Sequence, residues 1–241
     1  MTPTRARTAP SKRASKAPPK AATTASKAST RAEALAFHPL TPERWPDLVA
    51  LFGPRGACAG CWCMWPRLRG KEFSQGSGDP NRRALERIVR RGDPVGVLAY
   101  AAGAPVGWCG VAPREHYPRL AHSRVMAPVD ERPVWSVTCF FVLSGWRGRG
   151  LSRRLLEQAV RYAGSCGATL VEGYPVDARK RTGDAFVWTG IASTFERAGF
   201  HEAARRSPTR PIMRKAVRAS ATRGKAATRR RTPSSPARRG R

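Results

Sequence analysis

The residues with the clearest chemistry in this sequence are Arg147-Gly148-Arg149-Gly150-Leu151-Ser152, a run of arginine and glycine just before a helical pattern. Glycines two positions apart let the backbone approach a ligand closely. The first turn of the following helix leaves amide N–H groups without partners, and the helix dipole and two guanidinium groups add positive charge. The run therefore predicts a site for a phosphate or diphosphate. The alternative is an ordinary strand-to-helix turn whose arginines serve solubility.

Three cysteines, Cys58, Cys61 and Cys63, lie close together in the segment 57–65. Thiolates are zinc ligands, but a structural zinc site is closed by four ligands, which normally come as two separated pairs. We therefore predict that the segment binds no metal. Its two tryptophans and its methionine indicate instead an apolar loop that packs over the core, with the cysteines as small buried neighbours. Six cysteines in a chain without a secretory signal favour reduced thiols.

The arginine–glycine run is flanked by elements that would hold it in place. Residues 135–142 are mostly β-branched or aromatic, which favours a buried strand. After the run, apolar residues recur every four positions from Leu151 to Ala163, so we predict a helix with one apolar face. A further strand is expected at 169–176, where alternation places Glu172 and Tyr174 on one face.

Weaker patterns predict the remaining elements of the domain. Residues 113–133 are mostly polar and contain four prolines, which indicates a long loop. Thr41, followed by Pro42, has the side chain and the position of a helix N-cap. The other predicted elements, in chain order, are a strand at 35–39, a helix at 81–91, hairpin strands at 95–101 and 105–111, a basic loop at 178–184, a short helix at 190–198, and strands at 201–205 and 210–215.

This order of elements resembles the GNAT superfamily of N-acetyltransferases over about residues 35–214. The resemblance rests on the Arg-x-x-Gly-x-Ser phrase that opens the long helix and on a second phrase, Phe195-Glu196-Arg197-Ala198-Gly199-Phe200, that leads from a short helix into a late strand. It implies an α/β (α+β) fold with a mixed, mostly antiparallel sheet, flanking helices and a splayed central strand pair. Ser152 departs from the usual Gly or Ala, but it is small enough to fit.

In that family an acyl group passes from a coenzyme A thioester to an amine, so the resemblance implies acetyl-CoA as the acyl-donor co-substrate and an amine of unknown identity as acceptor. The diphosphate of coenzyme A is then expected on the residues of the run, which are Arg147, Gly148, Arg149, Gly150, Leu151 and Ser152. The pantetheine arm is expected on the backbone of Phe140, Phe141 and Val142. The same resemblance places the cysteine segment at the border of the acceptor pocket.

Acyl transfer also needs proton transfer, because the amine must be neutral to attack and the departing thiolate gains from a proton. GNAT proteins commonly use a tyrosine as the acid four residues before the glycine of the Gly-Phe phrase. This sequence has Phe195 there, which has no proton to donate. We expect Glu172 to act as the base and Tyr174, on the same strand face, to replace the missing acid. The alternative for Glu172 is a surface or ion-paired carboxylate with no catalytic role.

Positive charge is concentrated at both ends of the chain, which has a formal net charge of +29. Residues 1–32 contain eight Lys and Arg, residues 214–241 contain eleven, and neither stretch contains an acidic residue. Both stretches also lack aromatic residues. We therefore predict disordered basic tails at 1–34 and 216–241 on either side of an acetyltransferase domain at 35–215.

Tails of this composition favour non-specific binding to nucleic acid. The alternative function is therefore a nucleic-acid-associated protein whose folded domain is a degenerate or regulatory acyl-CoA-binding module, although no base-reading motif is present. The sequence has no run of about 18 apolar residues, so we predict no membrane span. We expect a cytoplasmic protein, with nucleoid association as an extension of the tail hypothesis.

Overall fold

The computed structural model describes residues 34–178 and 187–217. Most of the two predicted tails and of the predicted basic loop at 178–184 lies outside these ranges, so those assignments stay predictions.

Seven strands form a single sheet in the described residues, in the spatial order β1-β2-β3-β4-β5-β7-β6. The strands are β1 Leu35–Pro39, β2 Gly96–Ala101, β3 Ala104–Pro113, β4 Trp135–Val142, β5 Leu170–Gly173, β6 His201–Arg205 and β7 Pro211–Ala216. All neighbouring pairs are antiparallel except β4 and β5, which run parallel. The predicted mixed, mostly antiparallel sheet is confirmed.

Six α-helices accompany the sheet over the same residues. They are α1 Trp45–Phe52, α2 Gly70–Gln75, α3 Asp79–Arg90, α4 Pro118–Ala121, α5 Leu151–Ser165 and α6 Ala192–Arg197. The predicted helices at 81–91 and 190–198 correspond to α3 and α6, and α5 begins at the residue predicted. None of the described helices combines the length and the apolar character that a bilayer crossing requires.

The structure departs from the sequence predictions where elements are short. The region 113–133, predicted as a loop, contains α4 and a 3-10 turn at Arg114–His116, and α2 was not predicted. Helices of one or two turns are too short to show an apolar period. Thr41 precedes a 3-10 turn rather than α1 itself, and its side chain caps no amide. Strand β5 ends at Gly173, and Val176 forms an isolated bridge with Ile191.

Helix α5 covers one face of the sheet with the apolar residues that its period predicted. Leu155, Leu156, Ala159 and Ala163 are fully buried in a cluster that also contains residues of β2, β3, β4 and α6. The helix lies close to the sheet at Gly107 of β3, where an added Cβ would stand 3.0 Å from Leu155 Cδ1. The opposite face is covered by α1, α3 and the cysteine segment, so the sheet is buried on both sides.

The central strands β4 and β5 separate part of the way along β4. They pair at only three positions, which are Trp135 with Val171, Ser136 with Glu172 and Val137 with Gly173. Beyond these pairs β4 continues to Val142, and a bulge opposite Gly110 and Val111 adds one residue to it. The C-terminal half of β4 therefore has one edge without a strand partner. This opening agrees with the splayed central pair that the family resemblance implied.

Candidate active site

The arginine–glycine run forms an exposed turn directly ahead of α5. Gly148 and Gly150 have φ angles of +72° and +76°, in the left-handed region that favours glycine. Gly150 is the N-cap residue of α5, and no side chain caps the helix. An added Cβ at either glycine would meet nothing within 4 Å. The turn therefore leaves open space over the N-terminus of a 15-residue helix, whose dipole and first amides attract an anion.

Arginine side chains surround this turn. Arg147 donates from Nε to the carbonyl oxygen of Val142 at 3.1 Å, which ties the turn to the end of β4. The guanidinium of Arg149 lies over the ring of Trp146, at 5.4 Å from its centroid. Arg154, one turn into α5, lies over the ring of Phe37 at the same distance of 5.4 Å. The structure thus brings the predicted loop residues together at one helix N-terminus, within a concentration of positive charge.

The open edge of β4 is occupied at one point by a loop. The backbone N–H of Phe140 donates to the carbonyl oxygen of Trp188 at 2.7 Å. The ring of Trp188 in turn packs edge-on against Trp65, with 4.5 Å between centroids. The side chains of Phe140 and Val142 join the α5 cluster, whereas Phe141 packs against Phe52 on the other face. The backbone predicted to hold the pantetheine arm is therefore partly paired with a loop.

Phe195 lies in the core beneath the point where β4 and β5 separate. It is fully buried, and its ring contacts Phe140 at 6.1 Å and Phe200 at 5.0 Å between centroids. A Cβ on Gly173 would lie 2.2 Å from the ring, so the glycine leaves space for Phe195. The position that carries a tyrosine acid in the family pattern is here an apolar packing residue.

Glu172 is fully buried between two arginines. Its Oε1 accepts hydrogen bonds from Nη1 of Arg114 and from the hydroxyl of Tyr174, the latter at 2.6 Å. Its Oε2 accepts from Nε of Arg214 at 2.6 Å. Alternation correctly placed Glu172 and Tyr174 on one face, and the structure brings them into contact. The catalytic role of Glu172 stays a prediction. These contacts are the ones expected under the alternative, in which Glu172 is an ion-paired carboxylate without a catalytic role.

Tyr174 is the other predicted proton-transfer residue, and it belongs to the same cluster. Its hydroxyl accepts from Arg114 at 2.6 Å and lies 2.9 Å from the hydroxyl of Ser136. Burial raises the pKa of Tyr174 well above its ordinary value, and the negative charge of Glu172 adds to the shift. The phenol therefore stays protonated at neutral pH, as an acid must. Its own proton, however, is directed at Glu172.

The residues that enclose this pair were not predicted from the sequence. Arg114 follows β3, and its Nη2 donates to the carbonyl oxygen of Met126 at 2.6 Å. Arg214 on β7 lies directly opposite Glu172 and also donates to Asp130 at 2.7 Å. The only signal for Arg214 was its place in a predicted strand, and register between β5 and β7 is not visible in the sequence.

The cysteine segment divides between surface and core. Cys58 is exposed, and Cys61 is half-buried, with burial raising the pKa of its thiol to about 11. Cys63 is buried 3.1 Å from Sγ of Cys139 on β4, and this contact together with burial raises the pKa of Cys63 well above its ordinary value. Trp62 and Met64 are buried, which confirms the predicted apolar packing for these two residues, whereas the prediction of a buried cysteine is wrong for Cys58. In the described ranges, no group of three or more His, Cys, Asp or Glu side chains has metal-site geometry.

A cleft of about 590 Å³ opens beside the cysteine segment. It is lined mainly by the last residue of this segment, by a residue that follows it, and by residues of α4 and the loop after it, namely Trp65, Arg69, Arg119, His122, Ser123 and Met126. Trp65 connects the cleft to Trp188 and so to the open edge of β4. Met126 connects it to Arg114 in the Glu172 cluster. Contacts through Trp65 and Met126 therefore link the cleft to the open strand edge and to the predicted proton-transfer residues.

Comparison with known proteins identifies one family. Residues 62–178 match the model of the acetyltransferase (GNAT) family. No curated protein sequence matches the chain.

Among solved structures, a GNAT-family acetyltransferase from Streptococcus agalactiae is 12% identical, with 76% of this chain and 96% of that chain covered and a TM-score of 0.47. The PaiA N-acetyltransferase from Thermoplasma acidophilum, solved in complex with coenzyme A, is 12% identical, with 76% of this chain and 99% of that chain covered and a TM-score of 0.45. An acetyltransferase from Thermus thermophilus is 18% identical, with 76% of this chain and 97% of that chain covered and a TM-score of 0.42.

Proposed function

We propose that the chain is an acetyltransferase of the GNAT family, whose model matches residues 62–178, and that it transfers the acetyl group of acetyl-CoA to an amine. The observation that carries this proposal is the turn at Gly148 and Gly150, which leads directly into α5 and places left-handed glycines and arginines at an open helix N-terminus. Amides at a helix N-terminus bind phosphate oxygens, and arginines add charge-assisted hydrogen bonds. A diphosphate-linked acyl donor suits this arrangement.

The thioester end of the donor would reach the open edge of β4. From the turn, β4 leads back through Val142 to Phe140, where the strand has no partner on its β5 side. In this proposal the amides of the pantetheine arm pair with that edge, and the Phe140 N–H exchanges the Trp188 carbonyl for the donor. The acyl group would then lie close to the cleft that begins at Trp65.

Proton transfer needs a separate proposal, because Phe195 supplies no acid and Glu172 is held by two arginines. We propose that Glu172 and Tyr174 act mainly by positioning β5, β7 and the loop around Met126. A coenzyme A thiolate is a modestly basic leaving group, so it can depart without a dedicated acid. The competing proposal, in which Glu172 is the base and Tyr174 the acid, predicts different kinetics for the same substitutions, as argued in the Discussion.

A calorimetric titration of the full chain with acetyl-CoA and with S-acetylpantetheine tests the donor site. The second compound carries the same thioester but lacks the diphosphate. We expect acetyl-CoA to bind at one site per chain and S-acetylpantetheine to bind at least about tenfold more weakly, because charge-assisted hydrogen bonds at the helix N-terminus are lost. Equal affinities, or no binding of acetyl-CoA, would contradict the proposal.

The charge of the terminal segments supports a second function that is compatible with the first. Residues 1–32 and 214–241 contain eight and eleven basic residues and no acidic ones. We propose that these segments bind nucleic acid through phosphates without sequence preference. In that case they would bring the acetyltransferase domain to nucleic acid rather than take part in acetyl transfer.

A further inference from the structure

The cleft beside Trp65 is positively charged. Arg69 and Arg119 both line it, and none of its lining residues is acidic. Neither arginine has a salt bridge with a carboxylate in the described residues, although many other arginines of the domain do. The two guanidinium groups therefore carry charge that the folded domain does not neutralise locally.

Arg119 is held in a fixed position by aromatic residues. Its guanidinium lies over the ring of Trp65 at 4.7 Å and over the ring of Phe73 at 5.6 Å from the centroids. Nη1 donates to the carbonyl oxygen of Trp65 at 3.2 Å. Burial lowers the pKa of Arg119, and no carboxylate of the described residues pairs with its guanidinium. A bound anion would provide the missing counter-charge.

Arg69 is positioned by a histidine. Its Nη2 lies 2.7 Å from Nε2 of His122. A guanidinium can only donate, so Nε2 of His122 is the acceptor in this contact. Ser123, the next residue, places its hydroxyl at the cleft and already accepts from the Met126 amide at 3.0 Å. Two arginines and a serine thus line the same cleft, and this set of side chains suits an oxyanion.

We propose that this cleft binds a small acceptor amine that carries a carboxylate or a phosphate, with Arg69 and Arg119 binding the anionic group. The inference rests on the proposed acetyltransferase function, because the amine would be acetylated by a donor bound along β4. The two arginines also disfavour acceptors whose only other charges are positive, such as polyamines, since like charges repel. The proposed acceptor therefore differs in class from a polycationic amine.

Two matched pairs of amines test this inference and distinguish the two sources of the anion. The first pair is O-phosphoethanolamine and ethanolamine, and the second is L-phenylalanine and L-phenylalaninamide. Acetyl transfer to each is followed by loss of thioester absorbance. We expect the anionic member of at least one pair to have a kcat/KM at least about tenfold higher, as expected for charge-assisted hydrogen bonds. If only one pair shows a preference, that pair identifies whether phosphate or carboxylate is the preferred anion.

Substitutions assign the preference to the cleft. Arg69→Gln and Arg119→Gln should each reduce kcat/KM for the preferred anionic amine by about tenfold or more, mainly through KM, while Arg119→Lys retains part of the charge. Arg87→Gln is the matched control, because Arg87 is exposed on α3 and does not line the cleft. The affinity for acetyl-CoA, measured by calorimetry, should be the same in all four variants.

The outcomes separate this inference from the function on which it rests. A chain that binds acetyl-CoA but prefers the uncharged amine in each pair, or acetylates none of the four, overturns the anionic acceptor and leaves the donor site in place. Equal losses in Arg87→Gln and the cleft variants also overturn it, because they assign the effect to overall charge. A chain that does not bind acetyl-CoA overturns the proposed function itself.

Discussion

Arg214 and Glu172 lie directly opposite each other on β7 and β5, and Nε of Arg214 donates to Oε2 of Glu172 at 2.6 Å. Glu172 is fully buried and Arg214 nearly so. Asp130 and Arg114 extend the pair into a network that joins the turn after β3, the loop after α4, β5 and β7. Removing one member of a buried ion pair leaves its partners charged and uncompensated, which costs more than the pair contributes.

Glu172→Gln should therefore destabilise the domain. An amide keeps the shape of the carboxylate but leaves Arg114 and Arg214 without a buried negative charge. We expect the free energy of unfolding, measured by urea denaturation, to fall by about 3–5 kcal/mol. Glu202→Gln is the control, since Glu202 pairs with Arg205 on the surface, where ion pairs contribute little. Equal losses in the two variants would contradict the structural role of Glu172.

The same variant separates positioning from catalysis. If Glu172 acts only by positioning, the folded fraction of Glu172→Gln should keep its kcat within about tenfold and the pH profile of kcat should be unchanged. Loss of a general base would instead lower kcat by about a hundredfold or more and remove the ascending limb of that profile. Kinetics at a temperature well below the unfolding midpoint decide between the two.

Gly150→Leu should abolish tight binding of acetyl-CoA. A side chain at φ +76° is strained by about 1–3 kcal/mol and would project into the space over the N-terminus of α5. Gly167→Leu is a matched control, because Gly167 has φ +91°, has nothing within 4 Å of an added Cβ and lies beyond the other end of the same helix. We expect similar stability losses in both variants. If calorimetry shows similar affinities as well, the donor does not use this turn.

The sequence allowed the elements of the donor site to be predicted because they are local. Eight consecutive β-branched, aromatic or small residues mark β4 with its observed bounds, and the four-residue period marks α5. Alternation also placed Glu172 and Tyr174 on one face. Their partners could not be predicted, since Arg114 and Arg214 lie 58 and 42 residues away from Glu172 in the sequence. Strand register, which no local pattern reveals, brings Arg214 to the site, and Arg114 reaches it from the turn after β3.

Asp130 should make stability depend on pH in acid. Hydrogen bonds from Arg132 and Arg214 to its carboxylate hold the pKa of Asp130 well below its ordinary value of 3.8. A group whose pKa is lowered by folding adds stability above its unfolded pKa and loses it as the pH falls through its folded pKa. We expect the free energy of unfolding to fall between about pH 5 and about pH 2, and Asp130→Asn to reduce that slope.

Asp93→Asn is the comparison for Asp130. Asp93 pairs with Arg91 alone, at the surface, and joins no buried network in the described residues. Its removal should change the free energy of unfolding at neutral pH by at most about 1 kcal/mol, because exposed ion pairs contribute little. If Asp130→Asn and the wild type give parallel curves of stability against pH, the contacts of Asp130 with the two arginines do not persist in solution.

The basic termini should bind DNA by charge alone. The logarithm of the affinity should fall linearly with the logarithm of the salt concentration, and unrelated sequences should bind equally well. Deleting residues 1–32 and 218–241 should abolish retardation of a duplex in a gel without lowering the rate of acetyl transfer to a small amine. Retardation that survives the deletion would assign DNA binding to the folded domain.

Trp188→Ala should increase the affinity for acetyl-CoA. In the free protein the Trp188 carbonyl accepts from the Phe140 N–H, and the indole holds the loop there by packing on Trp65. If the donor must displace this carbonyl, any contribution that holds the loop in place opposes binding. An aromatic pair contributes about 0.5–1.5 kcal/mol, so its loss should lower the Kd of acetyl-CoA between about twofold and about tenfold.

Trp65→Ala removes the other ring and provides the internal check. It should lower the Kd by a similar factor, and the double variant should gain little more, because both substitutions remove the same contact. Additive gains would mean that the two tryptophans act separately. An unchanged or higher Kd in Trp188→Ala would mean that the loop stays on β4 when acetyl-CoA binds, and the thioester would then have to bind without the Phe140 amide.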